Sequence, residues 1–79
     1  MMYLERHDPA RNMARYYCLT VESNLFGEFS LVRTWGRIGQ PSRTKIELHA
    51  TKQDAQAAMI RRVRQKQRKG YTPRLAAPN

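Results

Sequence analysis

Seventy-nine residues make one domain with a thin core, because a chain this short buries only about 60% of the surface its unfolded form exposes. That leaves little room for an enclosed cavity, which speaks against a small-molecule substrate site. The net charge of +9 asks for an anionic partner, nucleic acid first and an anionic membrane surface second, while 41% hydrophobic residues exclude global disorder.

Met1 to His7 reads as a short strand, closed by the turn signal Asp8-Pro9. Met13 to Glu22 is rich in aromatic and β-branched residues. Its alternation sets Arg15, Tyr17, Leu19 and Val21 against Tyr16, Cys18 and Thr20, a pattern that suits a central strand. Ser23 to Gly27 forms a hairpin connection, with Gly27 available for a positive φ. The next strand runs from Glu28 to about Trp35 and groups Phe29, Leu31, Arg33 and Trp35 on one face. A turn-rich loop follows from Gly36 to Ser42. Arg43 to His49 alternates cleanly, and the apolar side of this half-buried strand is Thr44, Ile46 and Leu48.

Thr51-Lys52-Gln53-Asp54 fits a helix start with Thr51 as N-cap, and Gly70 is a natural stop. The helix from Lys52 to Lys69 has an apolar stripe of Ala55, Ala58, Met59 and Val63, flanked by Ile60. Tyr71 docks, and residues 72–79 with Pro73 and Pro78 form a tail beyond a core of about 13–71. Successive strands and one amphipathic helix give a single α+β domain over 1–79, a small twisted antiparallel sheet of about four strands with the helix on one face. The other face stays open and is expected to matter for function.

The six acids contain no pair close enough in sequence for general acid/base work, and His7 and His49 lack spaced metal-ligand companions. Neither a cofactor motif nor a phosphate-cradling glycine loop is present. The lone cysteine, Cys18, excludes an intramolecular disulfide and a cysteine-based zinc cluster, and reads as a small buried hydrophobe. The chain is expected to be non-catalytic. With no secretory signal and no apolar run near ~18 residues, it is also expected to be cytoplasmic and not membrane-spanning, and nucleoid-associated if it binds DNA.

Six of the nine residues from 61 to 69 are basic: Arg61, Arg62, Arg64, Lys66, Arg68 and Lys69. Cations late in a helix suit its macrodipole, but that effect amounts to a few tenths of a kcal/mol each and does not call for six. A solvated basic face and an anion-binding cluster weigh about evenly here. A second basic group, Arg33, Arg37, Arg43 and Lys45, surrounds Trp35, and arginine forks beside a flat ring suit phosphate and base or sugar together. Strand parity by itself places Trp35 in the core with Phe29 and Leu31. Arg33 on the same face and Gly36 immediately after it, where a strand end can kink, argue for exposure.

The stretch Arg33-Thr34-Trp35-Gly36-Arg37-Ile38-Gly39 resembles the signature of the WGR domain, and so do its surroundings. Tyr16-Tyr17-Cys18-Leu19 before it, Lys45-Ile46-Glu47 after it, the helix opening Thr51 to Ala55 and the closing Lys69-Gly70-Tyr71 all look like that family. Asp8 to Met13 looks like the N-terminal segment of small stand-alone bacterial members. In eukaryotic poly(ADP-ribose) polymerases this domain binds DNA at strand breaks. The resemblance implies that Trp35 packs on a terminal nucleotide, Arg37 binds backbone and Lys45 adds a backbone contact. No polymerase domain accompanies the motif, so the resemblance implies no ADP-ribosyl transfer. The expected partner is nucleic acid, DNA ahead of RNA, contacted by Trp35, Gly36, Arg37, Arg33, Arg43 and Lys45 with the helix cluster adding charge. The alternative partner is an acidic protein on the open sheet face.

Overall fold

The computed structural model describes residues 1–74. Strand β1 (Met2–Asp8) leads through a single 3-10 turn at Pro9–Arg11, and Asn12 in the left-handed region, to β2 (Met13–Ser23). Next come β3 (Phe29–Arg37), β4 (Arg43–His49), helix α1 (Lys52–Arg68) and a three-residue β5 (Thr72–Arg74). The sheet is antiparallel throughout, in the order β4-β3-β2-β1-β5. β2 is therefore central, as its two apolar faces require. Thr72–Arg74, expected to belong to the tail, instead pair with Tyr3–Glu5 of β1. The remainder of that tail, 75–79, lies outside the described residues.

The β2–β3 hairpin is tied by one side chain. The Asn24 Oδ1 accepts the backbone N–H groups of Phe26 and Glu28, both at 2.9 Å, and Gly27 takes φ +79°. From there the register pairs Val21 with Leu31, Leu19 with Arg33, Tyr17 with Trp35 and Arg15 with Arg37. Because side chains alternate, all of these share the face on which α1 lies.

The helix begins at Thr51, whose Oγ1 accepts the Asp54 N–H at 3.0 Å. Thr51→Ala is expected to cost about 1 kcal/mol and to lower the melting temperature by roughly 4–8 °C; an unchanged melt would mean that the cap contributes nothing. The helix ends in a Schellman motif. The Tyr71 N–H reaches the Lys66 carbonyl at 3.1 Å and the Gly70 N–H reaches that of Gln67 at 3.0 Å, with Gly70 at φ +95°. This closure turns Tyr71 back onto Tyr17.

Ala55 and Ala58 let α1 lie close over Leu4, Leu19 and Leu31, the three largest side chains sealed completely from solvent among the described residues. Met2, Val21, Met59 and Val63 border this core, while Ile60 stays exposed. The expected sides of β4 are reversed. Ile46 and Leu48 are 59% and 60% exposed on the open face, and the polar side carrying Glu47 and His49 turns toward the helix. The reason is Arg33, which continues the core face of β3 and draws the carboxylate of Glu47 under α1.

Candidate nucleic-acid interface

Past the last turn of α1 the helix-side face of the sheet is no longer covered, and the motif residues lie there. Trp35 is half-buried. One face stacks on Tyr17 with ring centroids 5.9 Å apart and planes 20° from parallel, and Tyr71 meets Tyr17 edge-on at 6.4 Å. The rest of the indole lines a cleft of about 540 Å³ whose other walls are Arg15, Arg37 and Arg43, the Gly36 backbone, Gln40, Pro41 and Tyr71. The ring is at once the edge of the core and the floor of a surface cleft.

Arg15 and Arg37 are directly opposed cross-strand partners, and Arg43 is opposite Trp35. Like charges facing each other across a sheet are destabilising, so the pairing is held by the rest of the fold and would be relieved by an anion. One Arg37 nitrogen donates to the Asn12 carbonyl at 2.9 Å, which fixes the guanidinium and leaves its other donors available. Gly36 does not kink the strand. It stays within β3 opposite Tyr16, and a Cβ there would come to 3.4 Å from the Pro41 carbonyl oxygen. That is ordinary van der Waals distance, so the 38–42 loop packs closely against this position.

Arg33 must be withdrawn from the set of contacts. It is 7% exposed, pairs with the Glu47 carboxylate at 3.0 Å, donates to the Tyr17 hydroxyl at 3.2 Å and lies 5.9 Å from the Trp35 ring centre. A guanidinium buried this deeply is stable only when paired, and its role is to hold the aromatic floor. Glu47 also takes Arg62 at 3.1 Å and approaches the His49 ring at 3.5 Å. Burial pushes its carboxyl up, but Arg33 and Arg62 outweigh that and hold it below the usual range.

The basic cluster of the helix is divided. Arg62 is spent on Glu47, and Lys66 lies over Tyr17 at 4.6 Å and Tyr71 at 5.7 Å. Burial lowers the Lys66 pKa, and the charges of Lys69, Arg62 and Arg33 lower it further. Arg61, Arg64, Arg68 and Lys69 are exposed, as is Lys45 on the helix side of β4. The open face, by contrast, bears Tyr3, Glu5, Tyr16 and Cys18, and Arg74 there is already paired with Glu5 at 3.1 Å. Trp35, Arg37, Arg43 and Lys45 all stand on the helix side of the sheet, not on the open face. Cys18, expected to be buried, is partly exposed on that open face.

The sequence shows Tyr71 docking but places neither it nor Arg15 at the cleft. Arg15 shares the parity of Tyr17, but only the β2–β3 register sets it against Arg37.

The WGR domain family matches residues 1–78. The chain belongs to the WGR domain family. A protein of Sinorhizobium fredii (strain NBRC 101917 / NGR234), described as "Uncharacterized protein y4dW", is 44% identical over 77 residues, which cover 98% of this chain and 38% of that protein. This chain therefore spans well under half the length of that relative. No solved structure gives a significant match. WGR domains are non-catalytic, nucleic-acid-binding modules. No group of three or more His, Cys, Asp or Glu among the described residues could hold a metal ion, and no described helix is long and apolar enough to cross a membrane.

Proposed function

We propose that this WGR domain binds duplex DNA at an end or nick, through sugar and phosphate with little base readout. The observation that carries the reading is the cleft itself, an indole backed by Tyr17 and flanked by Arg15, Arg37 and Arg43. A flat apolar ring suits the exposed sugar or base of a terminal nucleotide. Planar forks on either side suit the flanking phosphates, where each can donate two hydrogen bonds at once. Lys45 extends the positive surface along β4, and the exposed cations of α1 add long-range attraction.

If about five phosphates are neutralised, log affinity falls with log salt at a slope near −4.5, using ~0.9 per contact. Fluorescence anisotropy with blunt, nicked and closed-circular DNA and with an RNA duplex, across a salt series, tests both parts. Tighter binding to blunt and nicked DNA than to closed circles, with that slope, is the expected result. Equal weak binding to every polyanion, heparin included, would reduce the reading to charge alone. A pull-down that survives nuclease and high salt would point instead to an acidic protein held on the open sheet face, since binding through exposed cations alone is screened by salt.

A further inference from the structure

A second basic hollow lies between the helix and the outer strand. It encloses about 490 Å³ and is lined by Arg61, Arg62, Arg64 and Arg68, with Glu47 as its acid. That acid is already shared between Arg33 at 3.0 Å and Arg62 at 3.1 Å. Arg61, Arg64 and Arg68 form no ion pair among the described residues. Their spacing of three and then four positions puts them on one side of α1, where like charges repel. A solvated helix face needs no such alignment over a groove.

Strand β4 connects this groove with the Trp35 cleft. Arg43 lines the cleft, Glu47 lines the groove, and Lys45 stands between them on the same face. Four residues of strand cover about 13 Å, close to four base pairs of duplex axis at ~3.4 Å each.

We propose that the groove between α1 and β4 is a second phosphate seat, holding the backbone of the same duplex about four base pairs from the sugar packed on Trp35. This rests on the DNA reading above and adds to it a defined contact where that reading needs only diffuse charge. Arg61, Arg64 and Arg68 donate to one or two phosphates. Arg62 stays on Glu47 and keeps the acid from repelling them.

Two double variants distinguish a built seat from a charge field. Arg64→Lys with Arg68→Lys keeps the net charge but removes the planar forks. Arg64→Gln with Arg68→Gln removes both. Anisotropy is measured on a blunt duplex of about 16 base pairs across a salt series, beside wild type and Arg37→Gln, with circular-dichroism melts confirming that all four are folded. For a seat spanning two phosphates, the Gln pair loses about 1.8 from the magnitude of the salt slope and roughly tenfold in affinity at low salt. The Lys pair keeps the slope but binds several-fold more weakly than wild type. Lys and wild-type proteins of equal affinity would overturn the seat and leave the Trp35 cleft standing, since Arg37→Gln would still bind poorly. No binding by wild type would overturn both.

Discussion

Replacing Trp35 by alanine is expected to lower both the stability of this domain and its affinity for duplex DNA. Truncating a fully buried tryptophan costs about 3–5 kcal/mol. Trp35 is half-buried and stacked through one face on Tyr17, so a loss nearer 2 kcal/mol is expected. A domain of this size has a total of roughly 4–12 kcal/mol, and the variant should remain folded at 25 °C with a visibly lower melting temperature. Ring–nucleotide stacking measured by alanine substitution amounts to ~1–3 kcal/mol, which corresponds to a rise of about five- to 150-fold in Kd. Trp35→Phe should restore much of the melt, because a ring again covers Tyr17, while recovering only part of the binding. A folded Trp35→Ala protein that binds as wild type would remove the indole from the interface. One that cannot fold would make it a core residue first.

The second large effect is expected at Glu47. Removing this carboxylate strands the guanidinium of Arg33, whose side chain is 9% exposed, without its counter-charge. Breaking a buried pair from one side costs about 3–5 kcal/mol, and the low end applies because the Glu47 side chain retains 25% exposure. Glu47→Ala should therefore melt far below wild type, and its Trp35 cleft should loosen because Arg33 also holds the Tyr17 hydroxyl. Arg33→Met combined with Glu47→Leu removes both charges together and should be less damaging than Glu47→Ala alone.

The pH dependence follows with a definite sign. The folded-state pKa of Glu47 lies below its ordinary value of 4.5, so its stabilisation is present above that value and is lost as pH falls through the folded pKa. Chemical denaturation of wild type and Glu47→Gln should show a gap at neutral pH that closes on acidification below about pH 4.5. A gap independent of pH would mean that the ion pair is not its cause.

Local chemistry is what made most of the fold legible. Asn24 and Gly27 build the hairpin, Thr51 caps the helix and Gly70 ends it, each through bonds to backbone within a few positions. Those bonds need no distant partner, so the first strand (read at 1–7, found at Met2–Asp8), the strand at 43–49 and the helix from 52 could be read from neighbours alone. The candidate site was half legible. Trp35, Arg37, Arg43 and Lys45 stood out by composition and by the family signature, and the alternation of β3 put Arg33 beside Trp35.

Which of these cations face a ligand was decided by pairings across distance. Arg33 and Arg37 look equivalent in sequence, yet one is sealed against Glu47, fourteen positions away, and the other opens on the cleft. Arg15 entered the site only through its register with Arg37, and Arg62 and Lys66 left the free cluster through Glu47 and the Tyr17 ring. The sequence by itself determined the first four strands, the helix, their order and the surplus of positive charge, because those follow from local bonds and side-chain periodicity, whereas β5 exists only through its pairing with β1. The tertiary structure decided the rest: the packing of α1 chose which face of the sheet would be the floor, and the few acids available chose which arginines would be neutralised.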